Sequence, residues 1–452
     1  MSDTHPPALL DGLFSSEPLS VIFSDTGRLQ AMLDVEAALT QAEAKVGVVP
    51  VSAVGPIAAE CRAEYFDIAS LSVSAASDGN VAIPVVRALT ARVRDRDAEA
   101  AHFVHWGATS QDIIDTGLVL QARKALSVLE SELERLIEAT AVLVRAHRDT
   151  PMPGRTWLQQ ATPVTLGLKA AGWLDTLLRH RQRLDELRSR LLVLQFGGAA
   201  GTLASLGQDG LRVAAALGEA LRLPLPALPW HAQRDRIVEA GSWLALVCGS
   251  LGKMARDISL LMQTEVAEVL EPAVPGKGGS SAMPHKRNPV GCAIVLAAAT
   301  RAPGLVSILY SALPQEHERG LGNWPAEWQT LPELFCLTGA GLKQMNAVVA
   351  GLEVNTARMR EHLDMNQGLV YAEAAMMQLA RQLGRSQAHQ LVERLSKEAL
   401  AQGRHLREVL AADTQAAALL DGPALDAIFD PLGSIGMARA FAERVLGHKD
   451  LR

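Results

Sequence analysis

The stretch Pro275-Gly-Lys-Gly-Gly-Ser-Ser-Ala-Met-Pro-His-Lys-Arg-Asn-Pro289 is the most informative part of this sequence. Its three glycines and three prolines exclude the interior of a helix or strand, so we expect a loop. Residues 272–315 contain no Asp or Glu, but they contain four basic residues, Lys277, Lys286, Arg287 and Arg301. A Gly-rich loop with serine hydroxyls and no carboxylates suits an anionic ligand or a developing negative charge. Composition alone leaves a solvated connection between two helices equally open.

The literal string decides between these alternatives. Gly279-Ser-Ser-Ala-Met-Pro-His-Lys-Arg-Asn-Pro289 resembles the signature loop of the fumarase/aspartase superfamily, Gly-Ser-Ser-x-Met-Pro-x-Lys-x-Asn-Pro, at every fixed position. The resemblance implies an all-α subunit of three domains with a central bundle of five long helices. It also implies a homotetramer in which three subunits contribute to each active site.

Composition agrees with a large helical protein. The chain has 452 residues and is 48% hydrophobic but only 4% aromatic, which favours close-packed helices over sheet. The succession of long and shorter helical segments along the sequence predicts three domains. These are an N-terminal helical domain (residues 1–108), a central long-helix domain (109–355) and a small C-terminal helical domain (356–452). The net charge of −6 gives no electrostatic argument for binding nucleic acid.

The sequence predicts a cytoplasmic protein without metal or cofactor. None of its four cysteines lies in a CxxC pair or near a histidine cluster, so we expect reduced, buried thiols. The N-terminus lacks the basic and apolar segments of a signal peptide. The most apolar span, residues 292–313, is interrupted by Arg301 and Pro303, which predicts a buried helix and no membrane association.

A second motif, His105-Trp-Gly-Ala-Thr-Ser-Gln-Asp112, precedes a long helical seam. Apolar residues step along it by threes and fours, as expected for a bundle helix: Ile114, Leu118, Ala122, Ala125, Leu129, Leu133, Leu136 and Leu143. Thr109 and Ser110 at its start could cap the helix, hold a substrate carboxylate, or do both. The string resembles the Thr-Ser-x-Asp motif of the superfamily, and His-x-Gly before it is typical of the adenylosuccinate lyase-like branch.

A third motif departs from the superfamily at one position. Thr156-Trp-Leu-Gln-Gln-Ala-Thr-Pro163 aligns with Thr-His-x-Gln-x-Ala-x-Pro, so Trp157 replaces a histidine that acts as an acid or base in the lyases. This replacement argues against amine elimination, although a tryptophan at a helix start is usually a core residue. We expect the segment to be a Pro/Gly-rich turn that leads into a long helix.

The fourth motif is His317-Glu-Arg-Gly-Leu-Gly-Asn-Trp-Pro-Ala-Glu-Trp328, which opens the fifth long helix, expected to end near Val354. His-Glu-Arg is typical of adenylosuccinate lyase, but the Ser-Ser that should follow is absent. The two tryptophans that flank Glu327 are unusual in a chain with few aromatic residues. A packed helix start would also explain them. Together with Trp157, this variant resembles the bacterial cycloisomerase branch of the superfamily, which lactonises a carboxylated muconate.

That resemblance implies roles for individual residues. Ser280 is expected to donate the proton during lactonisation, Lys286 to assist it or to be the donor itself, and His105 to assist as an acid or binder. The expected substrate-binding residues are Thr109, Ser110, Trp157, Gln159, Ser281, Asn288 and Arg319. An adenylosuccinate lyase-like C–N lyase is one alternative. A non-catalytic helical scaffold is another, but it would not need Ser280, Lys286 and Asn288.

Overall fold

The structure is a computed structural model that describes residues 9–273, 278–279, 283 and 286–447. It is 71% helical and 4% strand, which confirms the all-α prediction. The α-helices are α1 (Asp11–Phe14), α2 (Leu19–Ile22), α3 (Asp25–Val46), α4 (Val51–Glu60), α5 (Ile68–Asp78), α6 (Ala82–Arg96), α7 (Ser110–Ala146), α8 (Leu166–Leu191), α9 (Gly210–Leu221), α10 (Asp235–Leu261), α11 (Val290–Ser311), α12 (Asn323–Ala350), α13 (Thr356–Asp364), α14 (Ala372–Leu383), α15 (Arg385–Gln402), α16 (Leu406–Ala412), α17 (Thr414–Ala417), α18 (Gly422–Phe429) and α19 (Ala438–Leu446). The strands are β1 (Pro151–Thr156), β2 (Gln159–Thr165), β3 (Val269–Leu270) and β4 (Glu353–Val354), and short 3-10 helices lie at Ala63–Tyr65, Ala100–Phe103, Ala204–Asp209, Leu369–Tyr371 and Pro431–Gly433.

The five long helices expected from the sequence are α7, α8, α10, α11 and α12. The last of them ends at Ala350, a few residues before the predicted end. The chain becomes extended there because β4 pairs antiparallel with β3, with Val354 opposite Val269. Length alone does not identify the five helices, since α3 in the N-terminal part has 22 residues, as many as α11.

The apolar seam of α7 is buried as its spacing predicts. All eight of its apolar positions are at most 8% exposed, and Leu129 and Leu136 are completely buried. Thr140 interrupts the apolar seam, but its buried hydroxyl is not left unpaired, because it donates to the Leu136 carbonyl at 2.6 Å. Burying one leucine side chain is worth about 1.5–3 kcal/mol, so this seam is a major stabilising element.

Contacts divide the chain into two compact units. The first comprises Met1–Leu133, His180–Leu251 and Ile294–Lys343, and the second comprises Glu134–Arg179, Gly252–Ala293 and Gln344–Arg452. Each of the five long helices contributes residues to both units. In the second unit the short C-terminal helices surround a separate apolar core that includes Leu363, Tyr371, Leu395 and Leu406. The three-domain division remains a prediction.

The segment before α8 differs from the sequence expectation. It is an antiparallel hairpin of β1 and β2, with Pro153 opposite Pro163 and an irregular register beside Gly154. We expected a simple turn because prolines disfavour strands. In a ribbon of two strands both strands are edges, so a proline that lacks an N–H group can occupy a position that needs no donor.

Helix α11 is less buried than its sequence predicts. Among the described residues it is the one helix that is long and apolar enough to cross a membrane by length and composition, and only 33% of its most apolar window is buried. Ile308 and Tyr310 are 41% and 57% exposed. The expected burial is therefore incomplete in a single chain.

Candidate functional site

Asp112 organises the start of α7 in the first unit. The side chain is completely buried, and its Oδ1 accepts from Gly197 N at 2.9 Å and from His231 Nε2 at 2.7 Å. Its Oδ2 accepts from Gly198 N at 2.9 Å and from Thr109 N at 3.0 Å. One carboxylate thus fastens the glycine-rich connection that follows α8 to the beginning of α7.

The hydroxyls of Thr109 and Ser110 are left available by this arrangement. Thr109 is the residue that precedes α7, but its backbone N–H is held by the Asp112 carboxylate, as in one half of a capping box. Neither hydroxyl hydrogen-bonds to a described residue, and both residues are half-buried. The capping role considered for these two hydroxyls is therefore not the one they have in this structure.

The structure brings Arg319 to the same helix start. Its Nε donates to Gln111 Oε1 at 2.9 Å, and one terminal nitrogen donates to the Ala199 carbonyl at 3.0 Å. Gln111 is buried and is held in turn by the His231 carbonyl at 2.9 Å. The guanidinium is thus held at the α7 start through the side chain of Gln111.

His105 also belongs to this part of the molecule. Its backbone is left-handed, with φ of 59°, and its Nδ1 lies 2.6 Å from Oε1 of the buried Glu36 on α3. Burial by itself would lower the pKa of His105, but the Glu36 carboxylate, and more weakly Asp112, reverse this effect and raise it. The imidazole is therefore biased towards its charged form next to the α7 start.

A buried ion network lies one turn further along α7, and sequence reasoning missed it. Arg234 is 1% exposed and binds Asp115 through both terminal nitrogens, at 2.6 and 3.1 Å. It also pairs with Glu327, while the Trp324 indole donates to Asp115 at 3.1 Å. The packed-helix-start interpretation of the fourth motif thus holds for Trp324 and Glu327. The available signal was Asp115, which follows Asp112 by three residues and shares its helix face.

The second unit carries the third motif at the tip of the β1–β2 hairpin. Trp157 and Leu158 form the two-residue turn, with φ of 52° and 63°, and are 98% and 77% exposed. The core interpretation of Trp157 is wrong, because the turn directs the indole into solvent. Gln159 opens β2 opposite Thr156 and is also exposed. Large apolar residues rarely adopt this left-handed backbone, so the tip is strained.

The described part of the signature loop is closed at its base. Asn288 N donates to the Gly278 carbonyl at 2.9 Å, and Gly279 bridges Arg287. Arg287 is held by Glu353 at 2.7 Å. Lys286 is exposed and forms no ion pair with a described residue, while Asn288 is half-buried. The predicted Ser280 and Ser281 lie outside the described residues.

Glu271 fixes the helix that follows this loop, and the sequence analysis did not single it out. The carboxylate is 6% exposed and accepts from the backbone N–H groups of Gly291 and Cys292, at 3.0 and 2.7 Å. It satisfies two of the free donors at the start of α11. Its position as the last acid before the acid-free stretch was the available signal.

Each of the two regions offers its own chemistry. At the α7 start, two hydroxyls without a hydrogen-bond partner among the described residues, a fixed guanidinium and a charge-biased imidazole lie at the positive end of a 37-residue helix, which suits a carboxylate. The signature loop supplies the exposed ammonium of Lys286, which suits a developing oxyanion. Among the described residues no group of three His, Cys, Asp or Glu side chains could hold a metal ion.

Comparisons with known proteins agree with this picture. The sequence model of the lyase family matches residues 14–304, and that of the adenylosuccinate lyase C-terminus matches residues 368–445. The chain is 58% identical over 446 residues to a 3-carboxy-cis,cis-muconate cycloisomerase of Pseudomonas aeruginosa, covering 99% of this chain and 97% of that protein. It is 52% identical to one from Bradyrhizobium diazoefficiens, covering 97% of both.

A solved structure extends the similarity to the fold. The crystal structure of 3-carboxy-cis,cis-muconate lactonizing enzyme from Pseudomonas putida matches with a TM-score of 0.93 and 54% identity, covering 97% of this chain and 98% of that one. The similarity therefore extends over nearly the whole chain. The chain is an enzyme of the lyase family, within the fumarase/aspartase superfamily.

Proposed function

We propose that this protein is a 3-carboxy-cis,cis-muconate cycloisomerase that acts in the protocatechuate branch of the β-ketoadipate pathway of aromatic catabolism. The observation that carries the proposal is the full-length similarity to cycloisomerases, at 58% identity for the Pseudomonas aeruginosa protein. Trp157 supports it independently, because a lyase that eliminates an amine would need an acid or base at this position.

The reaction needs no cofactor, because it is an internal addition. A carboxylate oxygen of the substrate forms a C–O bond to an alkene carbon, and the carbon next to another carboxylate gains a proton. The nucleophile belongs to the substrate, so the protein must stabilise an enolate-like dianion and deliver one proton. We assign the proton to Ser280, activated by Lys286, with Lys286 as the rival donor.

The binding residues divide between the two regions. Thr109 and Ser110 would accept one carboxylate at the α7 start, and Arg319 would pair with the third carboxylate, which a fumarase-type substrate lacks. Gln159, Ser281 and Asn288 would hold the remaining oxygens. Trp157 would exclude water, since a carboxylate leaving group needs no acid.

We also propose a cytoplasmic homotetramer with shared active sites. The support is the apolar exposure of α11, whose residues Ile308 and Tyr310 are 41% and 57% exposed in a single chain, and the 98% exposure of Trp157. Exposed apolar surface of this extent marks an interaction site in soluble proteins. Other subunits would cover both.

The first experiment follows the ultraviolet absorbance of 3-carboxy-cis,cis-muconate with purified protein, beside a parallel reaction with adenylosuccinate. Loss of the conjugated-diene absorbance is the expected result. Ser280→Ala should lower kcat about 10²–10⁴-fold, the usual contribution of a positioned proton donor. Ser127→Ala, at an exposed serine on α7, is the matched control. Turnover of adenylosuccinate alone would overturn the proposal in favour of a C–N lyase.

A further inference from the structure

Glu36 is a buried carboxylate that the motifs do not include. It lies in the middle of α3, is completely buried, and contacts His105 over 69 residues of sequence at 2.6 Å. Its second oxygen, Oε2, is buried without a hydrogen-bond partner among the described residues. Burying a carboxylate that is only partly satisfied is costly, so its retention needs a reason beyond packing.

The contact fixes the state of the histidine ring. A carboxylate accepts but does not donate, so Nδ1 of His105 carries a proton. Nε2 is the other ring nitrogen, and it hydrogen-bonds to no described residue. The left-handed backbone at His105 and Gly107, with φ of 59° and 70°, turns the chain here, only four residues before Thr109. The ring is thus held by a specific contact in a specific turn.

We propose that Glu36 is a positioning residue that keeps His105 as a cation, with its Nε2–H available to a carboxylate of the substrate. This inference rests on the proposed function, since it takes the ligand to be a polycarboxylate. Glu36 does not touch the substrate and acts through His105. A charged donor at this point adds a second cation to the anion site beside Arg319.

A second buried carboxyl lies on the same helix as Glu36. Glu43, one heptad along α3, is completely buried, and both of its carboxyl oxygens lack a partner among the described residues. Burial and then the nearby charge of Glu36 raise the pKa of Glu43 to about 9, so Glu43 is neutral when Glu36 is charged. Asp112 on α7 interacts with His105, and the thiol of Cys61, after α4, interacts with Glu36.

The test compares Glu36→Gln with Glu43→Gln. The amide that Glu36→Gln introduces can still accept from Nδ1–H but carries no charge, so this variant separates charge from orientation. The pH profile of kcat/KM and an NMR titration of 13C-labelled histidine, assigned with His105→Asn, are recorded for each variant. In Glu36→Gln we expect the titration of His105 and the alkaline limb of the profile to move to lower pH. Activity above that limb should fall roughly tenfold per pH unit of displacement.

The Glu43→Gln control should leave both readouts in place, because Glu43 is already neutral. In a His105→Asn background, Glu36→Gln should not move the alkaline limb further. The inference is overturned if Glu36→Gln changes only the melting temperature and leaves both titrations where they are. The NMR titration needs no turnover, so it still decides the inference if the protein does not convert the muconate.

Discussion

The start of α7 and the signature loop differ in how their charged side chains are held. At the α7 start the buried carboxylates of Asp112 and Asp115 pair with His231 and Arg234, each 119 residues away in the sequence. The loop shows its Lys286 to solvent, and the described contacts are confined to its base. In the first region hydrogen bonds and ion pairs hold the polar side chains in a fixed geometry. In the second region the ammonium of Lys286 forms no ion pair with a described residue and can bind a ligand. Mutations in the buried network of Asp115 and Arg234 should therefore affect mainly stability, and mutations of Lys286 should affect mainly activity.

The largest effect should follow Arg234→Met. It leaves the carboxylates of Asp115 and Glu327 buried without their partner, which costs about 3–5 kcal/mol. Denaturant unfolding measures the loss. Arg190→Met is the matched control, because the Arg190–Glu239 pair is half exposed and should contribute at most about 1 kcal/mol. Equal losses in the two variants would contradict the contrast between the regions.

Lys286→Met should have the reverse pattern. Losing one positive group at a developing oxyanion lowers kcat about 10²–10³-fold, whereas an exposed side chain without an ion pair adds little to stability. Steady-state kinetics and thermal unfolding on the same preparation measure both. Lys397→Met is the control, since Lys397 pairs with the exposed Glu393 on α15. A drop in melting temperature that accounts for the lost activity would refute the assignment.

Glu43 sharpens the contrast, because it is a buried carboxyl of the first unit without a partner among the described residues. Its pKa of about 9 in the folded state exceeds the ordinary value of 4.5, so the folded protein binds one more proton than the unfolded chain between these pH values. Stability should therefore fall as pH rises through this window, by at most about 1.4 kcal/mol per pH unit. Glu43→Gln should lack this dependence. The measurement is the free energy of unfolding of the native protein and of Glu43→Gln at several pH values from about 5 to 9. An equal fall with pH in both proteins would contradict the prediction.

The smallest effect should be at the hairpin tip. Leu158→Gly relieves a left-handed backbone that costs a leucine about 1–2 kcal/mol, and the flexibility of glycine offsets about half of this. We expect the free energy of unfolding of Leu158→Gly, measured by thermal unfolding, to rise by roughly 0.5–1 kcal/mol. Leu246→Gly, at an exposed leucine in the middle of α10, should instead destabilise by about 1 kcal/mol. A loss at Leu158 would mean that its side chain makes a stabilising contact.

The parts of the fold that the sequence could predict are those encoded by neighbouring residues. The α7 seam follows from spacing, and the Ser24 cap of α3, which accepts from Gly27 N at 3.0 Å, follows from local chemistry. The motif string located the signature loop without any structure. These features depend on interactions within one or two turns.

The features that the sequence did not predict depend mostly on residues that are far apart in the chain. Arg234 meets Asp115 and Glu327 across 119 and 93 residues, and no local pattern reports such a pairing. The capping role considered for Thr109 and Ser110 is not realised, because the Asp112 N–H group that a Thr109 cap would bind donates to the Thr109 carbonyl at 3.0 Å. The hairpin at residues 151–165 was missed because its prolines suggested a turn, although edge strands accept them.

The exposed indole at the hairpin tip is also a natural optical reporter. Trp157 is 98% exposed, whereas Trp173, Trp230, Trp243 and Trp324 are at most 6% exposed. A tryptophan in water emits at longer wavelength than one in an apolar environment. The difference between the emission spectra of the native protein and Trp157→Phe therefore isolates this one side chain. A blue shift of that difference spectrum would record the moment at which a ligand or a second copy of the chain covers the tip.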